Sequence, residues 1–246
     1  MAAWYRKFFA LAIACLIVSS LQPANAEGLW DNFSGLFSEK VAPGELTNNE
    51  IISGLKEALA KGTRSAVNNL GKKDGFFLNK RVKINLPKSL DKAGDALHLI
   101  GKDKYVDDFV LTMNRAAEEA VPQAASVFAD SIKKMSISDA KQILDGPDDA
   151  ATRYFQRTGE KKLQKKMLPI IKDATAKVGV TGQYKAMVGK LGPASSLVDS
   201  SALDLDGYIT EKALDGLFLL VADEEKAIRQ NPAARTTDIL KKVFSH

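Results

Sequence analysis

The chain has 246 residues, 45% of them hydrophobic and 26% charged, with 35 Lys and Arg against 30 Asp and Glu, two His and one Cys. That length and apolar content suit a single domain with its own core, and one cysteine excludes a disulfide scaffold. The formal charge of +5 is mild and its signs are interspersed, so no basic face for nucleic acid is expected.

Residues 1–26 read as a signal peptide. Arg6 and Lys7 form a positive start, Phe8 to Val18 an apolar run, and Ala24-Asn25-Ala26 a small-x-small cleavage site. The apolar run is shorter than a bilayer span requires. A lipoprotein reading through Cys15 fails, because Ala12 stands where leucine is needed and apolar residues continue past the cysteine. Cleavage near Ala26 is expected to leave residues 27–246 as a single helical domain, cysteine-free, in the periplasm or secreted. Losing Arg6 and Lys7 would leave 33 basic against 30 acidic residues.

Along that domain, Leu29, Trp30, Phe33, Leu36 and Phe37 suit a short amphipathic helix docked on the body. Thr47 and Glu50 have capping-box spacing, and Ile51, Ile52, Leu55, Ala58, Leu59, Ala66, Val67 and Leu70 follow at helical period until Gly71 to Gly75. Arg81 to Pro87 alternates polar and apolar residues and is the clearest strand signal, which limits any sheet to a minor hairpin. Helical period resumes with Leu90, Ala93, Leu97 and Ile100 up to Gly101, then from Val106 to Val121. Pro122 kinks that helix or starts another, which carries Ala125, Phe128, Ile132 and Met135. Ser136 to Asp139 is a capped re-entry, and Gly146-Pro147 is a break. A short helix is predicted at Ala150, Tyr154 and Phe155, and a longer one from Leu163 to Val178 with a kink near Pro169. Gly192 to Ser201 reads as a linker, and Thr236 to Phe244 as a last short helix.

The stretch from Asp206 to Arg229 is the expected centre of the fold. Tyr208, Ile209, Leu214, Leu217, Phe218, Leu220, Val221 and Ile228 cover more than one stripe of a helix, so other elements must wrap it. Asp206 is the expected N-cap and Asn231-Pro232 the stop.

Reactive motifs are scarce. With only His98 and His246, no HExxH motif or Cys/His cluster can form, and GxSxG, GxxxxGK[ST] and GxGxxG do not occur. No catalytic residue, metal ligand or cofactor site is assigned. His98, between Leu97 and Leu99, reads as a packing or surface residue. Asp204-Leu205-Asp206-Gly207 has the look of a calcium loop, but aligning Gly207 with its invariant glycine puts Ala202 and Ala213 at the first and last ligand positions, so a turn and helix cap is expected.

Two polar groups stand out. Asn114, Arg115, Glu118 and Glu119 cluster on one helix, with Arg115 and Glu119 at i,i+4 and Glu118 near the apolar side. They read either as a structural ion pair between packed helices or as a pocket for an anionic or polar ligand. Lys161, Lys162, Lys165 and Lys166 occupy neighbouring turns, either as a solvated face or as a peripheral contact with anionic headgroups.

The segments EIISGLKEAL, TMNRAAEEA, KQILDG, LDLDGYITEKALDGLF and IRQNPAARTTDILKKVF make the chain similar to a bacterial exported family catalogued as domain of unknown function 4197. The resemblance implies an all-helical periplasmic-type domain and brings no catalytic residues. The fold expected is therefore all-α, a single multi-helix bundle with at most a minor β-hairpin. The function expected is that of a non-catalytic envelope protein, which binds another envelope protein or an apolar or anionic small molecule. The alternative is a hydrolase-type enzyme that uses carboxylates and arginine without metal or cysteine.

Overall fold

A computed structural model describes residues 48–177, 179–193 and 204–230. The predicted signal peptide, the helix at 27–37, Thr47, most of the 192–201 linker, the last helix at 236–244 and His246 lie outside the described residues. The described elements run α1 (Asn48–Gly71), a 3-10 turn (Lys88–Leu90), α2 (Asp91–Leu99), α3 (Asp103–Ala120), a second 3-10 turn (Val121–Gln123), α4 (Ala124–Lys134), α5 (Ile137–Leu144), α6 (Ala150–Lys177), α7 (Val180–Gly189) and α8 (Leu205–Gln230). The fold is all-α, as expected.

Helix α8 is the centre. It packs against α6, α1 and α3, and α3 in turn packs against α6 and α1. Ile209, Ala213, Leu217 and Val221 are buried on its inner side. Helix α4 wedges against α1 and α6, where Phe128 meets Phe155 edge-on with ring centroids 5.1 Å apart and Phe218 of α8 at 6.4 Å. No described helix is long and apolar enough to cross a membrane.

The starts and stops follow from local chemistry. Asp204, and not Asp206, caps α8: its carboxylate accepts the Gly207 N–H at 2.8 Å and its carbonyl the Tyr208 N–H. Asp206 instead accepts the Thr175 hydroxyl at 2.8 Å, tying α8 to α6. Ser136 and Asp139 form the capping box of α5. Pro122 lies in the 3-10 turn that separates α3 from α4. Gly71 ends α1, where an added Cβ would lie 2.9 Å from the Pro122 ring.

Three further stretches depart from the sequence reading. The two helices predicted between Ala150 and Val178 are one, α6, with Pro169 inside it. Nothing at residues 156–162 breaks the helix, and Gly159 is where α6 runs close to Val127 and Ser131 of α4. Helix α7 had no counterpart in the sequence pattern, because Gly182 and Gly189 blur its period. Residues 81–87 form no strand, and none occurs among the described residues. Their alternation still sorts inside from outside, with Val82 and Ile84 buried and Arg81 and Asn85 exposed. The backbone partner is the Asn114 side chain, as described next.

Candidate functional site

Helix α3 carries the cluster singled out in the sequence, and the structure divides its members. Asn114 is fully buried; its Oδ1 accepts the Ile84 N–H at 2.9 Å and its Nδ2 donates to the Ile84 carbonyl at 2.8 Å. The side-chain amide thus acts as a one-residue neighbouring strand, satisfying both polar groups of a buried peptide. Glu118 Oε1 accepts the N–H groups of Phe76 and Phe77, each at 3.1 Å, and Oε2 accepts from Arg115 Nη1 at 2.6 Å. The other arm of Arg115 reaches Asp74 Oδ1, also at 2.6 Å. Burial alone would lower the Arg115 pKa, but its hydrogen bonds to Glu118 and Asp74, with the charges of both, outweigh it and hold the guanidinium above its ordinary value.

The expected Arg115–Glu119 pair does not form. Glu118, one residue earlier, faces the body, while Glu119 faces outward and pairs with Lys177 at 3.3 Å. Asn114, Arg115 and Glu118 hold a single object, the irregular segment 72–87 between α1 and α2. Asp74 sits there at φ 67°, a left-handed conformation that Asp tolerates better than most residues. Gly75 is required by close approach: a Cβ would meet the Asn69 and Leu70 carbonyl oxygens at 2.5 Å. The cluster is therefore a brace. None of its residues lines the cavities described below.

A second brace was missed. Glu225 of α8 is buried, and its carboxylate accepts the Ala151 N–H, the Thr152 N–H and the Thr152 hydroxyl, each at 2.9 Å. It caps the start of α6 from another helix, and the N-terminal dipole there favours its charge. Arg229 bonds Glu225 Oε1 and the Ile143 carbonyl. The available signal was the i,i+4 spacing of Glu225 and Arg229 on a helix otherwise buried on that side.

The other polar candidates are on the surface. His98 is exposed and pairs with Asp103, which raises its pKa and lowers that of Asp103. Lys161, Lys162, Lys165 and Lys166 are all exposed; Lys162 stands 3.7 Å from Asp130 and Lys166 bonds the Ser126 hydroxyl at 3.0 Å. With Val127 and Pro169, three of these lysines rim a cavity of about 580 Å³.

Two larger cavities flank α8. One, of about 720 Å³, lies between α7 and the start of α8, where the buried Tyr184 hydroxyl has no partner among the described residues. The other is a groove of about 830 Å³ between α6 and α8. Leu214, Phe218, Leu219 and Ala222 form its apolar floor, while Asp149, Glu160, Glu211 and Asp215 stand along its walls. Leu219 is 37% exposed, so the outer side of the central helix is bare where the inner side is packed. Among the described residues no group of three or more His, Cys, Asp or Glu is gathered as a metal would need.

No curated protein and no solved structure matches the chain. Over residues 45–245 it matches the family described as Protein of unknown function (DUF4197), and to that family it belongs.

Proposed function

We propose that this chain is an exported, non-catalytic binding protein of the cell envelope, and that its ligand lies in the groove between α6 and α8. One observation carries the reading. The two carboxylates buried among the described residues, Glu118 and Glu225, are saturated by backbone and arginine donors, whereas the α6–α8 groove is open, floored by carbon and sized like a small-molecule site. Against the alternative, a hydrolase-type enzyme using carboxylates and arginine, stands the engagement of Arg115 and Glu118 in the brace.

The groove also sets the ligand's chemistry. Carboxylates on both walls repel an anion and favour an apolar body with a cationic end. Of these carboxylates Glu211 and Asp215 share Lys212, and Asp149 pairs with Arg153 at 2.9 Å. The test is thermal melting with a series of alkylamines and matched alkyl carboxylates, beside mass spectrometry of what co-purifies from the native envelope. A saturating amine at about a hundred times its Kd should add about 2.7 kcal/mol of stability, and Leu219→Arg should abolish the gain. Stabilisation by carboxylates instead of amines, or an amine effect that survives Leu219→Arg, would contradict the assignment.

A further inference from the structure

The two braces raise the question of what is being held. Glu225 holds a helix start, which every bundle needs. Asn114, Arg115 and Glu118 hold residues 72–87, a stretch without regular structure that nonetheless contributes Phe76, Val82 and Ile84 to the core. Outward, the same stretch presents Lys72, Lys73, Leu78, Lys80 and Arg81, all exposed, around a half-buried Phe77. Leu78 is 69% exposed.

Its charges are unevenly matched. Asp74 is taken by Arg115, and Arg81 is bound to Asp223 through two hydrogen bonds, at 2.6 and 3.0 Å. Among the described residues no carboxylate lies within ion-pair distance of Lys72, Lys73, Lys80 or Lys83. Lys83 instead sits over the Phe77 ring, 4.6 Å from its centroid, with the Arg115 guanidinium at 5.7 Å. This braced, exposed tip thus carries a bare leucine in one short stretch with lysines that have no carboxylate partner among the described residues.

We propose that this tip docks the protein on an anionic lipid surface, with Leu78 entering the headgroup boundary and Lys72, Lys73 and Lys80 meeting phosphate. Three features select a lipid surface over an acidic protein. The tip is exposed and lines none of the described cavities, so it offers no pocket for a partner's side chain and suits a deformable partner. Its free cations are lysines, point charges without the fork that reads a fixed carboxylate. Apolar and basic groups are adjacent, which matches the layering of headgroup over acyl chain. The α6 lysines lack this last feature, since no large apolar side chain is exposed on that helix. Leu99 and Ile100 are exposed as well, but Asp95, Asp103 and Asp107 surround their turn and oppose an anionic surface.

The experiment compares full-length variants on vesicles of phosphatidylcholine with and without phosphatidylglycerol. A polarity-sensitive dye at Leu78→Cys, in a Cys15→Ser background, reports the tip itself whatever the rest of the chain does. The expected result is a blue shift with phosphatidylglycerol that fades with added salt. Replacing Lys72, Lys73 and Lys80 with Gln should weaken the shift-yielding affinity on the order of 100-fold, at about five-fold per lysine. Leu99→Ser should leave it unchanged, and circular dichroism should show every variant folded. An unshifted dye, or a shift that the triple variant retains, overturns the proposal. So does a shift that soluble poly-glutamate produces as strongly as vesicles, which would make the partner an acidic protein.

Discussion

At the scale of single residues, the buried polar groups of this chain work on backbone. Glu118 satisfies two peptide N–H groups that no helix or strand would otherwise pair, and Arg115 neutralises it from the half-buried side. Removing the carboxylate leaves two orphan donors and a half-buried guanidinium with Asp74 as its one remaining partner, each a desolvation cost. Glu118→Ala is expected to lower stability by about 3–5 kcal/mol in urea unfolding. Glu118→Gln keeps an acceptor for the two N–H groups and should lose only about 1–2 kcal/mol. Hydrogen exchange localises the effect: Phe76 and Phe77 amides should lose protection in the alanine variant while those of α4 keep theirs. Uniform loss across the molecule would mean that Glu118 supports the whole core and not one segment.

At the scale of elements, the irregular segment and the central helix are fitted to each other. Gly216 of α8 lies under Phe76 and Val82, where an added Cβ would meet Phe76 Cε1 at 2.9 Å and Val82 Cβ at 3.1 Å. Alanine has the better helix propensity, by about 1 kcal/mol, so local preference alone says that Gly216→Ala stabilises. Overpacking of this kind costs about 1–3 kcal/mol, and the contact involves a ring edge and a Cβ close to backbone, neither of which swings away freely. The expected outcome is a net loss of stability in thermal melting. Gly182→Ala, in open space on α7, should be neutral or stabilising. A stabilised Gly216→Ala protein would show that segment 72–87 gives way, against its role as a rigid platform.

At the scale of the whole molecule, α8 is packed on one side and open on the other. Leu217 is fully buried on a helix that packs against α1, α3 and α6, whereas Leu219 borders solvent in the groove. A charge at the first position has no partner and no water, while one at the second is reached by solvent. Leu217→Asp is therefore expected to abolish cooperative unfolding, and Leu219→Asp to leave a folded protein with a melting point close to the wild type, both read by circular dichroism. A soluble, cooperatively melting Leu217→Asp variant would remove α8 from the centre of the fold.

How much of this was legible without coordinates depended on the range of the interaction. The helices of residues 48–71, 103–120 and 205–230, the turns at Gly71, Gly101 and Pro122, and the Ser136 cap follow from periodicity and capping chemistry within a few residues, and they read correctly. The family was legible for the same reason, through contiguous segments. Pairings between distant residues were not. Helical spacing offers Glu119 as the partner of Arg115 and puts Glu118 near the apolar side, but only the placement of Phe76 and Phe77 against α3 shows what Glu118 binds. Asn114 supplying the strand partner of Ile84, Glu225 capping α6, and the groove between α6 and α8 are likewise products of packing. The sequence by itself determined which stretches coil and which faces are apolar, because both are set by neighbours along the chain. Tertiary structure alone decided which polar groups are buried and which surfaces stay open, because burial is a property of elements brought together across scores of residues.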